Sequence, residues 1–215
     1  MPSFTGSIMP PAQYPSLKGK TAYVTGGAGG IGEAICEAFA RNGTDVGILD
    51  INETAANAVA EKLVATGIRA KACGCDLRDI AELQSALDRL KAELGPADIL
   101  VNNAAHDQRH DWRDMTPAYW DERMAVNLRH MFFAMQKVAP WMIERHGGSI
   151  INFSSTSWKL KMATLPAYTT AKAAVHGLTK SFQMELGKSN IRVNTVYPGW
   201  VMTERQKQLW FDEAG

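Results

Sequence analysis

Between residues 20 and 199, short apolar runs of β type alternate with runs of helical periodicity, and that alternation restricts the chain to very few folds. The β-type runs are TAYVTG, DVGILD, AKACGCD, DILVNNA, SIINFSS and IRVNTVYPG, beginning at residues 21, 45, 70, 98, 149 and 191. Helical patterns lie between them over residues 31–41, 53–66, 80–94, 117–145 and 166–187. Strands separated by helices cannot pair as hairpins. Each connection must cross over, so the spacing predicts an α/β fold: a doubly wound, mostly parallel sheet covered by helices on both faces, three layers α/β/α. Right-handed crossovers then place ligand sites beyond the carboxyl ends of the strands.

The first strand runs straight into TGGAGGIG, residues 25–32, and a helix follows at once. Gly26, Gly30 and Gly32 permit a tight turn and let backbone approach a pyrophosphate at the helix N-terminus, where free N–H groups and the helix dipole favour negative charge. A glycine loop alone is a weak signal, because glycine also serves plain turns. Its context is stronger: a strand before, a helix after, and Asp50 closing the second strand. A carboxylate there can accept the ribose hydroxyls of an adenosine and repels a 2′-phosphate, and no lysine or arginine lies in residues 25–32 or 50–53. The expected cofactor is therefore NAD, with NADP disfavoured. Asp76 closes the third strand in the same way. It is expected either to meet the adenine amino group or to cap the next helix.

Tyr168 and Lys172 are four apart on a predicted helix and share one face, thirteen residues after Ser155. Free tyrosine titrates near ~10. An ammonium about 4 Å away supplies on the order of 4 kcal/mol, enough to bring a phenol towards ~7 and make it a base. Taken alone, the five residues read as an ordinary exposed helix pair. Pro166 suits the first turn of that helix and starts it just before Tyr168.

Composition narrows the partners. Twenty-three basic and 22 acidic residues leave a formal charge of +1, so nucleic acid and anionic membrane are not expected ligands, and a small alcohol or sugar fits better. No apolar run reaches the ~18 residues of a membrane span and no signal-peptide pattern opens the chain, which reads as cytoplasmic. Cys36, Cys73 and Cys75 are scattered through apolar segments and read as core thiols. His106 and His110 invite a metal reading with Asp107 and Asp111, but no helical frame aims both rings together, and no metal is expected. Residues 1–17, with Pro2, Pro10, Pro11 and Pro15, read as a surface arm, and residues 18–215 as a single domain.

Taken together, TGGAGGIG, NNAA at 102–105, Asn127, Ser155, Tyr168 with Lys172, and the late Pro198-Gly199 resemble, in order and spacing, the short-chain dehydrogenase/reductase family. Stretches such as YPSLKGK, HDQRH, YWDERMAVNLRHMFF and INFSSTSW are most similar to bacterial aldose 1-dehydrogenases of the D-xylose type. The resemblance implies a Rossmann-fold catalytic domain, with catalysis by Asn127, Ser155, Tyr168 and Lys172. It implies dinucleotide contacts from Gly26, Gly29, Gly30, Ile31, Asp50, Asp76, Leu77, Asn103, Ala104, Tyr168 and Lys172, and from Pro198, Val201 and Thr203 near the nicotinamide. It also implies a homodimer or homotetramer. Family members carry a lid helix and a last strand beyond the point where this sequence stops, which leaves a sheet edge expected to be uncovered.

The implied reaction is NAD-dependent oxidation of a secondary alcohol, C1 of an aldose going to a lactone with Tyr168 as general base. Asp107 and Arg109, beyond the fourth strand, are candidates for paired hydrogen bonds to sugar hydroxyls, and Trp158 and Trp200 for packing on a pyranose. Ser155 and Tyr168 complete that set. The alternatives are a polyol, steroid or 3-oxoacyl reductase, or a catalytically silent dinucleotide-binding protein.

Overall fold

The computed structural model of the protein describes residues 12–210. Six strands form one all-parallel sheet: β1 Thr21–Thr25, β2 Asp45–Asp50, β3 Ala70–Gly74, β4 Ile99–Asn102, β5 Gly148–Phe153 and β6 Ile191–Val196. Their spatial order is β3-β2-β1-β4-β5-β6. The chain walks outward one way from β1 and then returns to start again at β4. Strand order therefore reverses between β1 and β4, whose carboxyl ends lie side by side while their onward connections diverge, leaving the crevice where such sheets bind ligands.

Helices α1 Gly30–Arg41, α2 Glu53–Val64, α3 Ile80–Leu94, α4 Pro117–Met124, α5 His130–Glu144, α6 Pro166–Leu186 and α7 Glu204–Trp210 complete the described elements. Alternation along each strand divides the core in two. Ala22, Val24, Ile48 and Val101 point to the side carrying α1 and α2, where Cys36, Val59 and Leu63 meet them. Tyr23, Leu49, Leu100 and Ile150 point to the side carrying α3 and α5, against Leu83, Leu87, Met135 and Val138. Both faces of β1 are filled, so all five of its residues are buried without any polar alternation. All three cysteines are buried free thiols.

The helical stretch expected over 117–145 is continuous from Pro117 to Glu144, with a π-helical turn, Ala125–Arg129, joining α4 to α5. Helices flank both faces of the sheet; at its β6 edge Ile191 and Val193 are buried while Arg192 and Asn194 are exposed among the described residues. Of the amino-terminal arm expected over residues 1–17, residues 12–17 are described. Its end is a 3-10 turn, Pro15–Leu17, docked on the body through Tyr14 N–H to Asn42 Oδ1 (2.6 Å) and Thr44 Oγ1–H to the Leu17 carbonyl (2.9 Å). Residues 1–11 lie outside the described residues, as do 211–215.

Asp98 fastens the amino-terminal edge of the sheet. Its buried carboxylate accepts Thr21 N–H (2.9 Å), Arg145 Nη2 (3.0 Å) and Lys20 Nζ (3.4 Å), joining β1, the end of α5 and the entry to β4. Removing it orphans a buried backbone donor. Asp98→Ala is expected to lower the unfolding free energy by about 2 kcal/mol in urea titration, and a change within a few tenths would mean the carboxylate is dispensable.

Candidate active site

Each strand that reaches the crevice delivers one part of the site. After β1, Gly26 turns with φ 67° and its Cα lies so close to Ala104 that a Cβ would come within 2.8 Å of the Ala104 Cα. Gly32 admits no side chain either, since a Cβ there would sit 1.9 Å from the Gly26 carbonyl oxygen. Asn103, just past β4, braces this loop: its Nδ2 donates to the carbonyls of Thr25 (3.1 Å) and Gly26 (3.0 Å), and Thr25 Oγ1 accepts the amides of Asn103 and Ala104. The loop delivers Gly30 to the start of α1, whose preceding residue, Gly29, offers no side-chain cap. Those N–H groups are thus left for an anion.

Asp50, at the end of β2, accepts Ala28 N–H of the glycine loop and Asn52 N–H, each at 3.0 Å. Its carboxylate is therefore held against the loop. The side-chain-free cradle, the uncapped helix start and this acid together fit a dinucleotide. Asp76 is differently placed. Arg78 grips its carboxylate through Nε and Nη2 (2.7 to 3.1 Å), and that guanidinium holds its pKa below the usual carboxylate value. It lines an open groove of about 630 Å³ with Arg78, Arg129 and Phe133, whose lining includes neither Tyr168 nor Lys172. It is not the cap of α3; Asp79 is, accepting the amides of Ala81 and Glu82.

Beyond β5 the chain supplies Ser155, and α6 supplies Tyr168 and Lys172. Pro166 occupies the first turn of α6, as its fixed φ favours. Two bonds lock this helix to the strand end: Ser154 Oγ donates to the Lys172 carbonyl (2.6 Å), and Lys172 Nζ donates to the Phe153 carbonyl (2.7 Å). Ser154 N–H and Thr156 N–H in turn bond the carbonyls of Val196 and Pro198, carrying β5–β6 pairing past the end of the regular strands. Ser155 Oγ accepts Ser157 N–H (3.1 Å) and lies near enough to the Tyr168 phenol to lower its pKa. Lys172 is 1% exposed, with Nζ 5.7 Å from the centre of the Tyr168 ring.

The geometry brings the predicted triad together, but its electrostatics differ from the expected ones. Burial raises the Tyr168 phenol to about 12, against smaller lowering by Ser155 and by the Arg205 guanidinium. Burial likewise pushes the Lys172 ammonium down to about 7. Desolvation decides both groups, and what lowering the phenol feels comes from Ser155 and Arg205 rather than from Lys172.

Asn127 lies in the π turn and is fully buried. Its Oδ1 accepts His106 N–H (2.8 Å), while Nδ2 donates to the carbonyls of Arg123 (3.0 Å) and His106 (3.2 Å). The side-chain amide is thereby spent on fixing the loop after β4. Sequence reasoning missed its neighbours. Arg123, buried on α4, donates to His106 Nδ1 (2.7 Å), pairs with Glu122 and lies over the Tyr119 ring. Burial first, and that guanidinium second, hold the His106 imidazole below its ordinary pKa. Helical spacing of Tyr119, Arg123 and Asn127 was the available signal.

Among the substrate candidates, Asp107 is engaged from α7. Its carboxylate takes Arg205 Nη1 and Gln206 Nε2 (3.2 Å), both from α7. Arg109 lines a separate concavity of about 190 Å³ with His110 and Tyr119. Trp158 tilts against Tyr197, with Lys159 over both rings, and Trp200 is 60% exposed. Thr203 begins α7 by accepting Gln206 N–H at Oγ1 (3.3 Å), and its methyl stands where a Cβ on Gly30 would come within 3.2 Å. Leu77 is buried after β3; Val201 is exposed beside Thr203. Among the described residues no group of three or more potential ligands could hold a metal, and no helix is long and apolar enough to cross a membrane.

Residues 20–214 match the short chain dehydrogenase family, and the chain belongs to that family. It is an NAD(P)-dependent oxidoreductase acting on CH–OH groups. It is 47% identical over 206 residues to a probable galactose dehydrogenase of Rhizobium meliloti, covering 95% of this chain and 80% of that protein. A D-xylose 1-dehydrogenase of Caulobacter vibrioides is 45% identical over 207 residues, covering 96% and 82%. Among solved structures, a 7α-hydroxysteroid dehydrogenase complexed with NADH and 7-oxo glycochenodeoxycholic acid superposes with a TM-score of 0.87 at 36% identity, covering 92% of this chain and 77% of that one.

Lys172 supplies a prediction of its own, because an amine whose folded pKa falls from 10.5 to about 7 destabilises the protein wherever the unfolded chain is protonated and the folded one is forced to be. The unfolded state binds more protons between those two values, so this penalty is full below about pH 7 and fades as pH rises towards 10.5. Lys172→Met is expected to be more stable than the parent by about 1–3 kcal/mol at pH 6–7, with the gain shrinking by pH 10. Urea titrations across that range check it; a gain that grows with pH would contradict the buried-cation account.

Proposed function

We propose that the protein oxidises C1 of an aldose to a lactone with NAD, Tyr168 acting as the general base. The observation that carries this reading is the buried Lys172 locked to the end of β5 beside Tyr168, whose phenol feels Ser155 next to it. The two sugar dehydrogenases among its relatives support the substrate class. The glycine loop, the start of α1, Asp50, Ala104, Val201 and Thr203 would hold the dinucleotide, which when bound supplies the acceptor for hydride.

This chain's own residues handle alignment and the proton. Ser155 donates a hydrogen bond to the substrate oxygen, and Tyr168 takes the hydroxyl proton as the C–H bond breaks. Lys172 sits within reach of the phenol's field; Asn127 keeps the loop after β4 in place. A phenol near 12 holds its proton at neutral pH, so oxidation is favoured by alkaline solution and the reverse reduction by neutral solution. Asp50, with no basic residue in the glycine loop, favours NAD over NADP, since a 2′-phosphate would stand against its carboxylate. Self-association through the exposed apolar side chains Phe132 of α5 and Met184 of α6 is part of the same reading.

The test is NAD reduction by purified protein against pentoses and hexoses, with NADP in parallel and Tyr168→Phe as control. Turnover of an aldose with NAD is expected, reduced by roughly a thousandfold or more in Tyr168→Phe while NADH still binds. Activity on apolar alcohols alone, or a preference for NADP, would remove the substrate or cofactor assignment. Substantial turnover by the phenylalanine variant would remove Tyr168.

A further inference from the structure

The ion pair between Asp107 and Arg205 joins segments that are 98 residues apart and belongs to neither the sheet nor the core. On one side, Asp107 follows His106, whose N–H and carbonyl are both held by the buried Asn127. On the other, Arg205 and Gln206 stand in the first turn of α7, directly after Thr203, which abuts the glycine loop at Gly30. The pair therefore stands at the mouth of the crevice between the two ends of the site. Both charges act on the Tyr168 phenol, Asp107 raising its pKa and Arg205 lowering it.

We propose that Asp107 and Arg205 form a substrate-recognition pair that selects uncharged, polyhydroxylated substrates, Asp107 accepting hydroxyl protons and Arg205 donating to hydroxyl or ring oxygens. This rests on the aldose reading and deepens it. A carboxylate offers about four acceptor positions, and Arg205 and Gln206 occupy one on each oxygen. The acceptor capacity left over faces a substrate hydroxyl. The guanidinium has five N–H donors, of which the contact with Asp107 engages Nη1. Neighbouring positive charge keeps the Asp107 carboxyl below its ordinary pKa despite burial, so it remains an acceptor at neutral pH. The pair sums to no net charge and gains nothing from an anionic or cationic substrate. An apolar alcohol would take its place against partly desolvated polar groups without satisfying them, which is the arrangement that discriminates most strongly against a substrate lacking hydroxyls.

Asp107→Asn and Arg205→Met separate this role from docking of α7. For each variant and the parent, aldose kcat and KM, aldose binding to the NADH complex by calorimetry, and NADH affinity by fluorescence are measured. The expected result is a rise of roughly 10- to 100-fold in aldose KM and dissociation constant, with kcat within about threefold and NADH affinity within about twofold of the parent. Unchanged aldose KM overturns the pair as a recognition element. Weakened NADH binding in step with KM also overturns it, because the pair would then serve to seat α7 on the cofactor side. A parent that oxidises aldoses while both variants match it removes only the pair; a parent that neither binds nor oxidises any aldose removes the aldose reading and the pair together.

Discussion

A lysine amine enclosed at the carboxyl end of a parallel sheet, donating to one carbonyl and set beside one phenol ring, is the constraint around which this structure is arranged. Burying it is unfavourable, and nothing in the fold neutralises it with a carboxylate among the described residues. The surrounding bonds hold it there regardless. Ser154 ties the backbone of Lys172 to β5, Phe153 receives its Nζ, and the pairing of β5 with β6 extends past the regular strands to keep that corner from opening. Where a chain retains a destabilising group so firmly, the compensation is sought in chemistry. Tyr168 and Ser155 lie beside it.

The sheet positions everything else. Because β1 and β4 are neighbours whose onward connections diverge, the glycine loop and Asn103-Ala104 emerge side by side, and the brace from Asn103 onto Thr25 and Gly26 fuses them. The order of strands was not in the sequence as such, but the alternation of elements left little else. Apolar runs buried on both faces read correctly as parallel strands, and five helical patterns reappear close to their expected bounds. Glycines 26 and 32 were legible because their neighbours leave no room for a Cβ, a constraint that spacing alone conveys.

What spacing does not convey is the balance of burial against charge. Tyr168 and Lys172 were found from their four-residue separation, yet the electrostatic consequence expected from that separation is reversed, since desolvation depends on what covers the pair from distant segments. The π turn was invisible for a similar reason: residues 117–145 carry an unbroken helical pattern, and the extra width appears only where the buried Asn127 amide enters to bond Arg123 and His106. Arg205 was hidden by sequence distance. Asp107 was marked with Arg109 for sugar hydroxyls, but nothing in the local sequence announces the ion pair it makes with a residue 98 positions on.

The proposed reaction requires hydride to leave a substrate carbon at the place where Tyr168 takes the proton. An aldose deuterated at C1, incubated with NAD and the protein, measures this directly by NMR of the recovered nicotinamide. Deuterium in the reduced nicotinamide ring, with turnover slower than for the unlabelled sugar, is the expected result. Reduced cofactor carrying no deuterium, or none formed while the sugar persists unchanged, would contradict it.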